Sequence, residues 1–126
     1  MYSFESSIVT GEQLGRRIGF PTINLSIPKD FALEYGIYAC RIDINGLQYV
    51  GALHFGPAFS LRKRHRVTLE VHILDVKNFF SSVGSVHVEV LEKIRPVQEF
   101  SDMLRLGQQI KQDIEYIRCR YSGICL

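Results

Sequence analysis

The chain has 126 residues, 46% of them hydrophobic and 22% charged, with a formal net charge of +2. That is the composition of a folded domain, not of a disordered tail. A chain of this length buries about two-thirds of its extended surface on folding, enough for a core without metal or disulfide staples. No 18 apolar residues occur in a row, which argues against a transmembrane helix, and Met1-Tyr2-Ser3-Phe4-Glu5 has neither the basic cluster nor the apolar run of a signal peptide.

Residues 1–126 are expected to form one domain, since a complete Rossmann unit plus a substrate domain would not fit. Cys40, Cys119 and Cys125 are odd in number and contain no C-x-x-C pair. With four scattered histidines they make no zinc pattern. Three free thiols would invite mispairing in an oxidising compartment, so the cytoplasm is the expected location.

The first unusual segment is Gly11-Glu12-Gln13-Leu14-Gly15-Arg16-Arg17-Ile18-Gly19-Phe20-Pro21-Thr22-Ile23-Asn24. Glycines let backbone N–H groups approach an anion, and Arg16 or Arg17 could add charge-assisted contacts to phosphate oxygens. The spacing matches neither the P-loop nor the dinucleotide fingerprint, so a phosphate flap and an ordinary loop both remain open. Pro21 stiffens the corner, and Thr22 and Asn24 carry hard oxygen donors suited to magnesium or to local backbone groups.

Next, Tyr38, Cys40, Ile42 and Ile44 alternate with Ile37, Ala39, Arg41 and Asp43, and Asn45-Gly46 follows. This predicts a hairpin over residues 37–53 with a tight primed turn. Arg62-Lys63-Arg64-His65-Arg66 is the dense basic run. Beyond it, Val67, Leu69, Val71 and Ile73 share one strand face, and Thr68, Glu70, His72 and Leu74 share the other. Glu70 could sit on a solvated face or take a proton from an attacking alcohol in a polar pocket. Val86-His87-Val88-Glu89-Val90 predicts another strand.

The period then changes. Met103, Leu106, Ile110, Ile114, Ile117 and Tyr121 form a helical stripe, with Ser101 as the expected N-cap and Asp102 in the favourable dipole position. Gly107 lies inside this helix and weakens it unless close packing uses the missing side chain. Many antiparallel strands followed by one amphipathic helix predict an all-β closed barrel with a C-terminal helix.

Taken together, these segments resemble the riboflavin kinase family. Gly19-Phe20-Pro21-Thr22-Ile23-Asn24 looks like its G-F-P-T-A-N motif, with isoleucine where alanine is usual. Gly11-x-x-x-Gly15-Arg16-Arg17 resembles its phosphate flap, and Tyr35-Gly36-Ile37-Tyr38-Ala39 its G-V-Y-A strand opening. Leu69-Glu70-Val71-His72-Ile73-Leu74-Asp75 follows its E-V-H-L-L-D segment. Ile94-Arg95, Phe100, Leu104, Gln109-Ile110 and Asp113 resemble its tail. The likeness spans residues 6–118.

The resemblance implies a six-stranded antiparallel barrel that transfers the ATP γ-phosphoryl group to the terminal ribityl hydroxyl of riboflavin, giving FMN and ADP. It implies that Thr22 and Asn24 arrange magnesium and phosphate, and that Glu70 acts as catalytic base. Gly15, Arg17 and Gly19 would form the nucleotide flap, and Arg95 would support the flavin site or make a structural pair. Phe55, Phe59, Phe79, Phe80 and Tyr116 are candidates for the isoalloxazine slot. An adenylyltransferase domain commonly precedes this domain in bacteria; nothing of that size is present here, so kinase chemistry without FAD synthesis is expected.

The sequence departs from the family at His54, where asparagine is common, at Ala58 in place of threonine, with a shorter Gly56–Pro57 link, and around 78–84. An inactive flavin- or nucleotide-binding relative is therefore one alternative. A small nucleic-acid-binding barrel using Arg62–Arg66 is another, disfavoured because the basic residues are confined to one expected loop.

Overall fold

A computed structural model describes residues 2–9, 20–57, 66–76 and 84–123. Six strands form a closed antiparallel barrel: β1 (Ser3–Val9), β2 (Ile23–Leu25), β3 (Gly36–Ile44), β4 (Leu47–Pro57), β5 (Val67–Ile73) and β6 (Ser85–Arg95), in the order β1-β2-β5-β4-β3-β6. Pairing of β6 with β1, from Ser3↔Glu89 to Ser7↔Ser85, closes the ring. Closure matters because an unpaired strand edge is a template for aggregation. The expected barrel, strand number and C-terminal helix are all present.

The period-two pattern decides which side chains fill the barrel. Tyr38, Cys40, Ile42 and Ile44 of β3, Leu53 and Phe55 of β4, Leu69, Val71 and Ile73 of β5, and Val86, Val88 and Val90 of β6 form one buried cluster. The hairpin extends a little beyond its predicted limits, and its turn residues Asn45 and Gly46 both have positive φ, 52° and 80°. Those angles are what a primed turn requires, and Asn-Gly reaches them at low steric cost. Phe31 sits with Phe4 and Phe55, its ring centroid 4.8 Å from each and nearly perpendicular to both.

The alternate residues point outward, and helix α1 (Met103–Ile117) covers part of that outer wall. Ile114 and Ile117 are buried against Ala39 and Leu74, with Val50, Ala52, Leu91, Ile94 and Ile110 packed around them. A π-helical turn, Arg118–Ser122, follows and ends at Gly123 in the left-handed region, φ 76°. Burial is concentrated in the last two turns of the predicted stripe; Leu104 is exposed.

The helix begins one residue later than expected. Asp102, not Ser101, is the N-cap: its backbone is extended and its carboxylate accepts the Arg105 N–H at 2.8 Å. A carboxylate at this position satisfies the orphan donor and meets the positive end of the helix dipole together, which serine at the preceding position cannot.

Cys40 is buried and free, and burial pushes its thiol up to about 12. Cys119 is disulfide-bonded, so the expectation of three free thiols fails for it. Pairing depends on Cα proximity and not on a C-x-x-C spacing. Cys125 lies outside the described residues. No helix among the described residues is long and apolar enough to cross a membrane.

Gly107 is a test of helix propensity free of packing, because a Cβ added there would meet nothing within 4 Å. Gly107→Ala should stabilise the protein by about 1 kcal/mol and raise Tm by roughly 3–6 °C. A lower Tm by calorimetry would show that the missing side chain is used.

Candidate active site

The site lies on the outer wall, along a row of residues that the register aligns across the strands. Asn24 of β2 is opposite Glu70 of β5, and Glu70 is opposite His54 of β4. The same row continues to Ile37 of β3 and Arg95 of β6. Odd and even positions of β5 separate cleanly: Leu69 and Val71 enter the barrel, which forces Glu70 and its neighbours Thr68 and His72 outward.

Glu70 is only 8% exposed. A carboxylate so removed from water needs donors, and two threonines supply them. Thr22 Oγ1 donates to Oε1 at 2.7 Å and Thr68 Oγ1 donates to Oε2 at 2.9 Å. The two hydroxyls come from opposite sides, one from the Pro21-Thr22 corner and one from β5 itself, so the carboxylate is held across its plane. Thr22 and Glu70, 48 residues apart in sequence, are thus in direct contact.

His72 holds the same corner. Its Nδ1 donates to the Pro21 carbonyl at 2.7 Å, and the Phe20 ring meets the imidazole edge to face at 5.9 Å. Burial lowers the His72 pKa; the Pro21 carbonyl opposes the shift, Arg118 adds to it and Asp75 opposes it. A single bond from β5 to Pro21 thereby fixes the residue next to Thr22.

Asn24 is 6% exposed, and its Nδ2 is buried without a hydrogen-bond partner. Amide N–H groups in such positions usually have acceptors, so one left open on the wall beside Glu70 points to an acceptor that arrives with a ligand. The Thr22 hydroxyl hydrogen is directed at Glu70, which leaves its oxygen lone pairs for a cation. Among the described residues no group of three or more histidine, cysteine, aspartate or glutamate side chains could hold a metal ion. Neutral oxygens of the Thr22–Asn24 corner fit magnesium only where phosphate oxygens supply most of the negative charge.

Arg95 falls on the same row but at its far end, three strand spacings of about 4.8 Å from Glu70. Its guanidinium forks onto Asp113 of α1, with Nε and Nη2 at 2.9–3.1 Å from the carboxylate oxygens. Gln109 adds a bond to Asp113 at 3.0 Å, and Phe100 lies 5.8 Å from the guanidinium carbon. Of the two roles left open for Arg95, these contacts describe the structural pair.

Phe55 is a core residue, packed between Phe31 and Tyr35. The Tyr116 hydroxyl donates to Glu92 at 2.7 Å on the exposed side of α1. Gly11, Gly15, Arg16, Arg17, Gly19, Ala58, Phe59, Phe79, Phe80 and the basic run from Arg62 to His65 lie outside the described residues. Sequence reasoning did not assign roles to Thr68 and His54. Thr68 was legible as an outward neighbour of Glu70 two residues away; His54 needed the β4–β5 register.

Comparison with known proteins places this closed barrel in a class. A sequence profile for flavokinase (riboflavin kinase) matches residues 1–120. The bifunctional riboflavin kinase/FMN adenylyltransferase of Buchnera aphidicola subsp. Schizaphis graminum is 34% identical over 128 residues, covering 98% of this chain and 40% of its own length. The Bacillus subtilis protein named RNA-binding riboflavin kinase RibR is 31% identical over 94% of this chain and 50% of its own length. The crystal structure of a Streptococcus pneumoniae protein described as a macrolide-efflux protein superposes with a TM-score of 0.78 at 27% identity, over 92% of this chain and 38% of that one.

The chain belongs to the riboflavin kinase (flavokinase) family. It spans 40–50% of the length of the two curated relatives.

The Arg95–Asp113 pair is well buried, with side chains 14% and 5% exposed. Asp113→Ala should destabilise the protein by about 3–5 kcal/mol, because it leaves a buried guanidinium without its counter-charge. A near-neutral change in urea denaturation would show that Arg95 is held mainly for a ligand.

Proposed function

We propose that the chain is a riboflavin kinase, transferring the ATP γ-phosphoryl group to the terminal ribityl hydroxyl of riboflavin. Residues 1–126 are read as one catalytic domain. The reading rests most heavily on the direct bond between Thr22 and Glu70, which joins the nucleotide-side corner to the only carboxylate buried on this wall among the described residues. Family membership supports the reaction class.

In this mechanism Glu70 is the general base. It accepts the hydroxyl proton as the ribityl oxygen attacks the γ-phosphorus, the bond to the β-phosphate bridging oxygen breaks, and ADP leaves. The proton on Glu70 then passes to solvent after FMN departs. Phosphoryl transfer asks little covalent chemistry of a protein, so alignment and charge stabilisation dominate. The two threonine hydroxyls keep the carboxylate in one rotamer, which lowers the entropic cost of alignment.

Thr22 and Asn24 would hold magnesium and the phosphates. The ion, when bound, neutralises charge on the phosphate oxygens. Asn24 Nδ2 would donate to a phosphate oxygen, a role for which its unpartnered state is suited. The glycine segment, with Gly15, Arg17 and Gly19, would cover the triphosphate. Water exclusion there would suppress ATP hydrolysis.

The decisive assay combines purified protein, riboflavin, ATP and magnesium, with FMN separated chromatographically; absence of FMN from folded protein refutes the reading. Glu70→Gln should lower kcat by at least roughly 100-fold with riboflavin binding retained, because the amide keeps the shape and cannot act as the base. Near wild-type turnover in E70Q would remove Glu70 from the mechanism.

Thr22→Ala should raise the KM for magnesium–ATP more than the Kd for riboflavin. Equal weakening of both ligands, together with a lower Tm, would identify Thr22 as a fold residue.

A further inference from the structure

The hydrogen bonds around Glu70 do not stop at the threonines. Thr68 Oγ1 lies 3.5 Å from His54 Nδ1, and His54 is the residue opposite Glu70 in the β4–β5 register. A hydroxyl has one proton to give. Thr68 gives its proton to the Glu70 carboxylate, since an ionised carboxylate only accepts. Towards His54 the Thr68 oxygen can therefore only accept, so a hydrogen bond between the two places the hydrogen on Nδ1 of the imidazole.

We propose that His54 is a positioning residue for Glu70, acting through the directed chain His54 Nδ1–H to Thr68 Oγ1–H to Glu70 Oε2. The proposal deepens the kinase reading given above and takes from it the role of Glu70 as base. Its structural content is the direction of the chain; its functional content is that the direction keeps the base in register.

Each link has a physical consequence. A donor behind Thr68 polarises its hydroxyl, and successive hydrogen bonds in a poorly solvated wall strengthen one another. The Thr68 rotamer, otherwise free to turn towards backbone carbonyls, is held with its hydrogen on Oε2. Thr22 fixes Oε1 independently, so the carboxylate is anchored at both oxygens and cannot rotate away from the Thr22 corner. Without His54, the Thr68 hydroxyl is held by its bond to the carboxylate alone.

The environment of the ring suits this role. Burial lowers the His54 pKa and thereby favours the neutral ring; Glu70 and the Pro57 carbonyl oppose the shift, Arg95 adds to it, and the carbonyl of His54 itself opposes it. A neutral imidazole has a single N–H, so the tautomer is a definite and measurable state. At 3.5 Å the His54–Thr68 contact is at the long limit of a hydrogen bond. It is suited to tightening when a substrate hydroxyl loads the other end of the chain.

Two independent measurements test the chain. In the free protein, long-range ¹⁵N–¹H correlation spectra should place the His54 proton on Nδ1, and Thr68→Val should move the ring towards the Nε2–H form. A His54 proton on Nε2 in the wild type, or a tautomer indifferent to T68V, overturns the proposal.

In the FMN assay, His54→Ala should lower kcat about 5- to 20-fold with the KM values for riboflavin and ATP within about twofold of wild type. His54→Asn should recover most of that loss, since an asparagine amide N–H reaches the place of Nδ1–H. The H54A/T68V double variant should be no slower than T68V alone, as expected for residues acting through one link. Losses that multiply, or an H54A effect confined to KM or to Tm, overturn it. If the wild type forms no FMN, the kinase reading falls on that result, and the tautomer measurements still decide whether the His54 chain exists.

Discussion

A carboxylate seated on a nearly dry barrel wall is the constraint that organises its surroundings. Burying an ionised group without compensation costs several kcal/mol or more, so Glu70 can be where it is only because donors meet both oxygens. Those donors come from Thr22 and Thr68. Their arrival depends on register. A one-residue slip of β5 would send Glu70 into a core of Leu, Val and Ile and turn Leu69 or Val71 out to the wall. Core packing and the site are therefore two consequences of a single alternation: the side of β5 that fills the barrel dictates which side presents the acid.

The helix answers a different need. Ile114 and Ile117 supply apolar contact with the outer wall, but contact of this kind is non-directional and would tolerate sliding. Charged forks at separate points remove that freedom. Arg95 grips Asp113 from the end of β6, and Arg118 grips Asp75 in the turn after β5 at 2.9–3.4 Å. Asp75 sits at φ 60°, a sparsely populated region for a residue with a Cβ, and the guanidinium helps to hold it there. Because β5 also carries Glu70, the Arg118–Asp75 contact ties the helix end to the strand of that carboxylate. Among the described residues the first half of α1 has no comparable charged fork to the barrel, which agrees with its lack of buried residues.

Much of this was readable from the chain. Alternation at 37–44 and 67–74 defined two strands and their faces, and Asn45-Gly46 marked the turn, because period two and positive φ are local properties of the residues themselves. The helix was equally plain, though its cap was misplaced by one residue where serine and aspartate compete side by side. What local patterns could not reach was the pairing between distant strands. That Asn24, Glu70 and His54 stand in one row follows from the order β2-β5-β4, which no single segment encodes. The family likeness brought Thr22 and Glu70 together in expectation, but it left Arg95 with two roles and gave Thr68 none. The Cys119 bond was missed for the same reason, since closeness in space has no signature in spacing.

Asn24 shows why the wall is more than a structural solution. A residue chosen only for stability at this place would be apolar, or would give its amide hydrogens to the neighbouring carboxylate. Neither holds: the Glu70 oxygens accept from threonines, and Asn24 Nδ2 remains buried and unpartnered. An unmade hydrogen bond of this kind costs about 1–3 kcal/mol. Such a cost is tolerable in a barrel whose six strands close into a ring, and it is useful only if something else completes the bond. An incoming oxygen anion would gain a donor already fixed in place by the β2–β5 ladder, with no side-chain entropy left to lose. The same rigidity that makes the vacancy expensive in the free protein makes it effective in a complex. The wall is thus stable enough to carry an unmade hydrogen bond, and that bond lies directly across the β2–β5 ladder from Glu70.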